Sequence, residues 1–163
     1  RRAHTVCPVT AVQNRYSMMA RWYEKMFPVL EELQVGLVAF SPMANGFLTA
    51  RYDANSQFDP DTDYRRNMPQ FQADAMEENK ALLQWIQDLA ASKQATPAQL
   101  SLAWMLSKKP WIVPIPGTTN PGRLLENGRA ADIELTADEV RKIDEALDKI
   151  QMSAVFGGSP VRG

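Results

Sequence analysis

The stretch that most constrains the fold of this chain is WIVPIPGTTNPGRLLEN, residues 111–127. Its first five residues are apolar or β-compatible, which predicts a short strand buried on both faces. Pro116 and Gly117 end this strand, and Asn120 and Pro121 then open a helix as its N-cap and its first residue. A strand, a turn of small residues and a helix start in direct succession predict an α/β fold.

The same stretch carries a cation, Arg123, in the first turn of its helix. The N–H groups and the dipole at a helix N-terminus attract anions, and a guanidinium can bind a phosphate through two parallel hydrogen bonds. Two interpretations follow, a phosphate-type anion site or an ordinary strand–helix junction with a solvated arginine. The stretch alone does not decide between them.

Composition limits the remaining function classes. The chain has 163 residues and a formal net charge of -1, which suits one domain and gives no sign of a nucleic-acid partner. No apolar run approaches the length of a membrane span, so we predict no membrane partner. Cys7 and His4 are the only residues of their types, which argues against an intrachain disulfide and a Cys/His metal site. These features predict a cytoplasmic protein that holds no metal.

Strand and helix patterns alternate along the chain. The predicted strands are residues 9–13, 37–40 and 111–115. The predicted helices are residues 26–33, 76–90, 97–106 and 137–150, and capping boxes at Thr96 and Thr136 open the last two. This order favours parallel strands joined by right-handed crossovers. Three strands cannot hide both faces and both edges of a sheet, so we expect a part of a larger fold that starts at an internal point.

Residues 41–72 show neither helical nor strand periodicity. A loop this long inside a compact chain is usually functional or disordered. Because it leaves the carboxyl end of a buried strand, we predict that it is a binding loop. Its residues Tyr64, Arg65 and Arg66 have two interpretations, a cover over a ligand or a solvated charged face.

Three segments together resemble the aldo-keto reductase family over nearly the whole chain. They are TAVQNRYSM at residues 10–18, GLVAFSPMANGFLTA at residues 36–50, and ATPAQLSLAW through GRLLEN at residues 95–127. The resemblance implies a partial TIM (β/α)₈ barrel, of which residues 1–163 are the C-terminal half, entering just before the sixth strand, with about three parallel strands. The size agrees, because such barrels need roughly 250 residues.

The resemblance also implies an NADPH/NADP site. Gln13 would hydrogen-bond the nicotinamide carboxamide, and Phe40 would stack on the nicotinamide ring. The residues implied around the pyrophosphate are Ser41, Pro42, Met43 and Asn45. The residues implied to hold the 2′-phosphate are Gly117, Thr118, Thr119 and Arg123. Those implied to reach the adenine are Glu126 and Asn127. A charge-assisted contact from Arg123 that only the 2′-phosphate can use favours NADPH over NADH.

The implied activity is NADPH-dependent reduction of a small-molecule aldehyde or ketone. The family's catalytic Asp, Tyr, Lys and His lie on strands before this chain begins, so we assign no catalytic residue and expect the isolated chain to be inactive. Its expected partner is the missing N-terminal half of the barrel or a second copy. The alternatives are a non-catalytic nucleotide-binding or regulatory subunit of this fold, and another phosphate-binding barrel such as an aldolase or isomerase. The last lacks the platform that Phe40 and Gln13 supply.

Two departures from the family pattern stand out. Many relatives have Gln-Asn-Glu where this chain has Gln13, Asn14 and Arg15, so the local ion pairs are expected to differ. Many have Gly-Arg-Gly at residues 44–46, and the loss of that arginine predicts weaker loop closure. The walls of the substrate pocket are expected from the missing half and from the tail at residues 155–157.

Overall fold

The computed structural model describes residues 1–155, in which three parallel strands form one sheet flanked by helices. The strands are β1 (Ala11–Arg15), β2 (Gly36–Phe40) and β3 (Ile112–Pro114), in the order β1-β2-β3. The predicted α/β class with about three parallel strands is therefore confirmed. β1 is shifted two residues along from the predicted 9–13, because its register follows β2 from Ala11 opposite Gly36 to Arg15 opposite Phe40.

The helices account for most of the remaining chain. The α-helices are α1 (Arg2–Val6), α2 (Phe27–Glu32), α3 (Ala73–Glu78), α4 (Lys80–Ser92), α5 (Pro97–Lys108), α6 (Pro121–Gly128) and α7 (Ala137–Lys149). Short 3₁₀ helices lie at Trp22–Met26, Ala44–Thr49, Tyr64–Asn67, Pro69–Phe71 and Arg129–Asp132. Both predicted capping boxes are present: Thr96 accepts from the N–H of Gln99 at 3.2 Å, and Thr136 accepts from the N–H of Glu139 at 3.2 Å.

The two faces of the sheet differ in burial. Leu37, Ala39 and Ile112 point towards the helices and are at most 2% exposed. On the opposite face Gln13, Val38 and Val113 form one register row, in which Val113 is 56% exposed. One face of the sheet is thus packed against the helices, and the other is open. In the described part of the chain, β1 and β3 also each have one unpaired edge.

A chain of aromatic rings ties the helices to the packed face. Tyr16, just after β1, stacks on Trp104 of α5 with ring centroids 5.5 Å apart and meets Phe27 of α2 edge to face at 5.5 Å. Phe27 in turn meets Trp111 at 5.1 Å. The Trp104 Nε1–H donates to Asp144 of α7 at 2.9 Å, which satisfies the one polar atom that burial of the indole would otherwise strand.

The single helix predicted at residues 76–90 is wrong at its first turn, because the chain breaks at Asn79 into α3 and α4. Asn79 is fully buried, and its Nδ2 donates to the Ala75 carbonyl at 2.8 Å and to Ser153 Oγ at 2.7 Å. An amide buried at this point competes with the backbone ladder for hydrogen bonds. The contact with Ser153 also fastens the end of the described chain to the break.

Residues 41–72 are more ordered than their sequence pattern predicts. Beneath the 3₁₀ helices lies an aromatic cluster in which the ring centroids of neighbours are 5.0 to 5.5 Å apart, formed by Phe47, Tyr52, Phe58 and Phe71. The Arg65 guanidinium lies 4.9 Å from the centroid of Tyr52 and 5.0 Å from that of Phe58. Such cation–π contacts stabilise the loop in one conformation. The segment therefore forms a packed wall.

A carboxylate at the N-terminus of α7, Glu139, should make the stability of the fold sensitive to acid. The Lys93 ammonium and the backbone N–H and hydroxyl of Thr136 lower the pKa of Glu139 from 4.5 to about 2. The stabilisation from this carboxylate is therefore complete above pH 4.5 and is lost as the pH falls towards 2.

We expect Glu139→Gln to lower the urea midpoint of unfolding at pH 7. The midpoint of this variant should also fall less steeply than that of wild type between pH 4.5 and 2. Urea melts across this pH range test it, with Glu134→Gln as the matched control. Equal acid slopes in wild type and Glu139→Gln would contradict it.

Candidate functional site

One cleft of about 960 Å³ opens where β2 and β3 end. One wall is the loop after β2, and the other is the turn after β3 with the first turns of α6. Every residue that the sequence assigned to the cofactor lines this cleft except Gln13, namely Phe40, Ser41, Pro42, Met43, Asn45, Gly117, Thr118, Thr119, Arg123, Glu126 and Asn127. The fold thus brings two distant segments together, while the role of each residue stays a prediction.

Phe40 is linked to the loop after β2 by a buried cation. Arg15 lies opposite Phe40 on β1 and holds its guanidinium 5.1 Å from the centroid of the Phe40 ring. Its Nη1 also donates to Asn45 Oδ1 at 3.2 Å, and burial lowers the pKa of Arg15. A cation–amide pair therefore joins the two positions at which the sequence departs from the family pattern.

Gln13 lies outside the cleft wall. It sits on β1 opposite Val38, two residues before the Arg15–Phe40 pair, and its side chain is exposed on the open face of the sheet. Because alternate residues of a strand share a face, Gln13 is on the same face as Arg15. The structure therefore leaves Gln13 beside the cleft on the open face, in the row next to Phe40.

The loop after β2 holds a strained backbone. Ser41, Ala44 and Asn45 have φ values of 50, 48 and 61°, in the left-handed region that non-glycine residues avoid. Each such residue costs on the order of 1 kcal/mol and persists only where the surroundings hold it. Here the fully buried Gln70 donates from Nε2 to the Ala44 carbonyl at 3.2 Å. Strain stored in a loop that lines a cleft is typical of binding sites.

The N-terminus of α6 has the predicted cap. Asn120 Oδ1 accepts from the backbone N–H of Arg123 at 3.1 Å, and Thr118 Oγ1 accepts from the N–H of Asn120 at 3.1 Å. A Cβ at Gly122 would lie only 3.2 Å from Asn120 Oδ1, so glycine at this position leaves the cap room. The helix therefore begins on the cleft wall with its first turn fixed.

Among the described residues, three cations line the cleft, and their surroundings differ. Arg65 is paired with Asp63, and Arg51 is paired with Glu126. The exposed side chain of Arg123 has no hydrogen bond or ion pair with any of residues 1–155. An arginine without a partner at a capped helix N-terminus can accept an anion without breaking an existing bond.

Glu126 and Asn127 lie one turn further along α6. Asn127 is 9% exposed. Glu126 Oε2 lies 3.0 Å from Arg51 Nη2, and its Oε1 accepts from Thr96 Oγ1 at 2.7 Å. The Glu126 carboxylate is thus already bound to two other elements, although a carboxylate has further lone pairs with which to accept.

Only some of the residues of the long loop, 41–72, that were considered as a cover line the cleft. Tyr64 and Arg65 line the cleft, and Tyr64 is 65% exposed. Arg66 is not on the cleft wall and donates instead to the Pro60 carbonyl at 3.0 Å. Of the three residues considered as a cover, two therefore adjoin the cleft.

Tyr16 is unsuited to proton donation. It is fully buried, and its hydroxyl donates to Glu24 at 2.6 Å. Burial and the Glu24 carboxylate raise the pKa of Tyr16, the reverse of what a proton donor at neutral pH needs. Tyr23, the other tyrosine near β1, does not line the cleft.

Residues 1–155 contain no group of His, Cys, Asp and Glu side chains that could hold a metal ion. Over the same range no helix is long and apolar enough to cross a membrane. Cys7 is exposed and makes no disulfide, and His4 Nδ1 accepts from the Val9 N–H at 3.2 Å. Phe156 and Gly157, expected to help form a substrate pocket, lie outside the described residues.

A strained loop and a capped helix N-terminus meet at the carboxyl ends of parallel strands, which is the place where α/β proteins build their ligand sites. The model of the Aldo/keto reductase family matches residues 1–148, so the chain belongs to that family. The probable aldo-keto reductase 1 of Glycine max is 37% identical over 164 aligned residues, which cover 100% of this chain and 46% of that protein.

Two solved structures share the fold. The glycerol dehydrogenase of Gluconobacter oxydans matches with a TM-score of 0.81 at 22% identity, over 96% of this chain and 47% of its own. An aldo-keto reductase from Klebsiella pneumoniae, crystallised with NADPH, matches with a TM-score of 0.58 at 20% identity. The match covers 83% of this chain and 38% of the Klebsiella chain. The chain therefore spans about half the length of the curated relative. It spans half or less of the length of the two solved structures.

Sequence reasoning missed Arg51, which lines the cleft, and the hydrogen bond from Thr96 to Glu126. Arg51 follows the last turn of a loop without periodicity, and Thr96 was recognised only as a helix cap. Both bind Glu126, which is far from them in sequence. No local sequence pattern indicates either contact, because Arg51 and Thr96 lie 75 and 30 residues from Glu126 along the chain.

Proposed function

We propose that this chain is the cofactor-binding half of an NADPH-dependent aldo-keto reductase, which reduces a small aldehyde or ketone. The observation that carries the proposal is the cleft of about 960 Å³, with a flat aromatic ring, Phe40, on its wall at the end of β2 and an arginine, Arg123, at the N-terminus of α6. The family membership and the NADPH complex of the Klebsiella protein support it.

We also propose that the chain is the C-terminal half of a (β/α)₈ barrel. A three-stranded parallel sheet with one open face and two unpaired edges, as described for residues 1–155, supports this. Such a barrel needs roughly 250 residues and builds its site at the carboxyl ends of its strands. The other half would pair with β1 and β3 and enclose the open face.

The residues that line the cleft, together with Gln13 beside it, fit a dinucleotide with a 2′-phosphate. Phe40 offers a flat ring for the nicotinamide, and Gln13 on the same face offers an amide for its carboxamide. Arg123, with no partner among the described residues, offers a bidentate contact that only a 2′-phosphate would use. When bound, the cofactor supplies the hydride.

This chain's own part in the reaction is to hold and orient. Phe40 fixes which face of a stacked ring points to the substrate, and the loop after β2, anchored by Gln70, excludes water from the pyrophosphate side. The proton donor must lie within hydrogen-bond reach of the substrate oxygen. By the family resemblance it belongs to the other half of the barrel.

Phe40→Ala tests the proposed nicotinamide platform. Stacking of a base on an aromatic ring is worth about 1–3 kcal/mol, so we expect a loss of roughly 5- to 150-fold in NADPH affinity. Affinity for 2′,5′-ADP, which lacks the nicotinamide, should stay within about twofold. Fluorescence titration of the complete barrel measures both.

Two variants separate stacking from packing. Phe40→Trp keeps a flat ring and should keep NADPH affinity, whereas Phe40→Leu keeps apolar volume only and should lose it. Equal losses for NADPH and 2′,5′-ADP in Phe40→Leu would show that Phe40 acts through the fold, and the platform would be rejected.

A further inference from the structure

Arg123 and Glu126 are three residues apart on α6. At this spacing an acid and a base on one helix are neighbours and commonly form an ion pair. Such a pair would occupy the guanidinium that the proposed phosphate site needs. It would also bring a carboxylate to the position where the phosphate charge must lie.

In the structure Glu126 makes its contacts elsewhere. Its Oε2 lies 3.0 Å from Arg51 Nη2, and its Oε1 accepts from Thr96 Oγ1 at 2.7 Å. The Gln99 Nε2 donates to the Glu126 carbonyl at 3.0 Å and binds the backbone to the same helix start. The Glu126 side chain is 20% exposed, so its carboxylate is held largely out of water.

We infer that Arg51 is a positioning residue that sets the preference for NADPH over NADH by holding Glu126 away from Arg123. The inference rests on the proposed function and adds a residue that acts through another. Arg51 has two effects, and both favour binding of the 2′-phosphate. It orients the Glu126 carboxylate, and it neutralises a negative charge one helical turn from the phosphate.

The charges around the site give the expected order of variants. Arg51, Glu126 and Arg123 together carry one net positive charge. Removal of Arg51 leaves no net charge, and removal of the Glu126 charge as well restores the original value. NADH carries no 2′-phosphate, so its binding should respond little to any of these changes.

The test is the ratio of the Kd for NADH to the Kd for NADPH, measured by fluorescence titration in the complete barrel. We expect Arg51→Met to lower this ratio about tenfold, mainly through weaker NADPH binding. Arg51→Lys keeps the charge and should stay near the wild-type ratio. The double variant Arg51→Met/Glu126→Gln should return to within about threefold of wild type.

A control variant and the double variant show whether a lower ratio in Arg51→Met comes from the positioning of Glu126. Arg141→Met removes an exposed arginine of α7 that pairs with Asp138 and Glu145, and it should leave the ratio unchanged. If the double variant stays as low as Arg51→Met, then Arg51 contacts the phosphate directly and the positioning role is overturned. An unchanged ratio in Arg51→Met overturns it too.

Failure of the proposed function would look different. If Arg123→Leu has the same ratio of the Kd for NADH to the Kd for NADPH as wild type, then Arg123 does not bind the 2′-phosphate. The site itself is then misassigned. If Arg123→Leu lowers the ratio and Arg51→Met does not, the phosphate site stands and only the positioning role of Arg51 is rejected.

Discussion

The isolated 163-residue chain should show no NADPH-dependent reduction of a generic aldehyde, whereas the complete barrel should turn over. No tyrosine of residues 1–155 combines a place on the open face near Phe40 with the surroundings of a proton donor. Tyr16 is buried behind the sheet with a raised pKa, and Tyr23 does not line the cleft. Tyr52 and Tyr64 lie on the wall formed by the long loop. General acid catalysis needs its donor within hydrogen-bond reach of the substrate oxygen. Absorbance of NADPH at saturating aldehyde measures the difference.

The same isolated chain should associate. The open sheet face exposes Val113 by 56% and Ile115 by 44%, and β1 and β3 each leave an unpaired edge in the described structure. Apolar faces and free strand edges are sites of self-association. We expect oligomers by light scattering and strong binding of a hydrophobic dye.

Two outcomes would contradict this prediction. A well-packed monomer with measurable turnover would show that the chain carries its own proton donor and is not half of a barrel. A complete barrel that binds NADPH and reduces no carbonyl would favour the non-catalytic, regulatory alternative.

Arg123→Leu should weaken NADPH binding to the complete barrel by about 5- to 150-fold, because a hydrogen bond to a charged group is worth about 1–3 kcal/mol. NADH binding should change by less than twofold. The guanidinium has no hydrogen-bond or ion-pair partner among the described residues, so its loss breaks no internal hydrogen bond or ion pair. Titration of both cofactors into the same preparation gives the comparison.

Arg129→Leu is the matched control for this change. Arg129 is also exposed and follows α6, but it does not line the cleft, and it should leave both affinities near wild type. Equal weakening of NADPH and NADH in Arg123→Leu would reject a contact with the 2′-phosphate. A similar loss in Arg129→Leu would point to a diffuse electrostatic effect of net charge.

The parts of the fold that the sequence predicts well are those that local chemistry decides. Thr96 and Thr136 open their helices as capping boxes, and Asn120 caps α6, because each cap needs only residues within one turn. β2 and β3 are recognisable because their runs are apolar throughout, whereas β1 ends in polar residues and is predicted two residues too early. The cleft residues came from the family resemblance together with the anion pattern around Arg123.

The failures involve partners distant in sequence. The helix break at Asn79 depends on a bond to Ser153, and the order in residues 41–72 depends on aromatic rings without a fixed spacing. The contact of Arg51 with Glu126 spans the cleft. No local pattern encodes such contacts, since each forms only after the chain has folded.

The two free edges of the sheet have a consequence for how the proposed barrel forms. β3 would pair with a strand from the very start of the complete chain, so closing the ring joins segments at the largest sequence separation in the molecule. Long-range parallel pairing of this kind is slow, because loop-closure entropy is lost before the contacts form. On the ribosome the first half would wait with its own edges exposed until the last strand emerges. The barrel should therefore depend on the speed of synthesis and on chaperones, although α5, α6 and α7 each begin with a local side-chain cap.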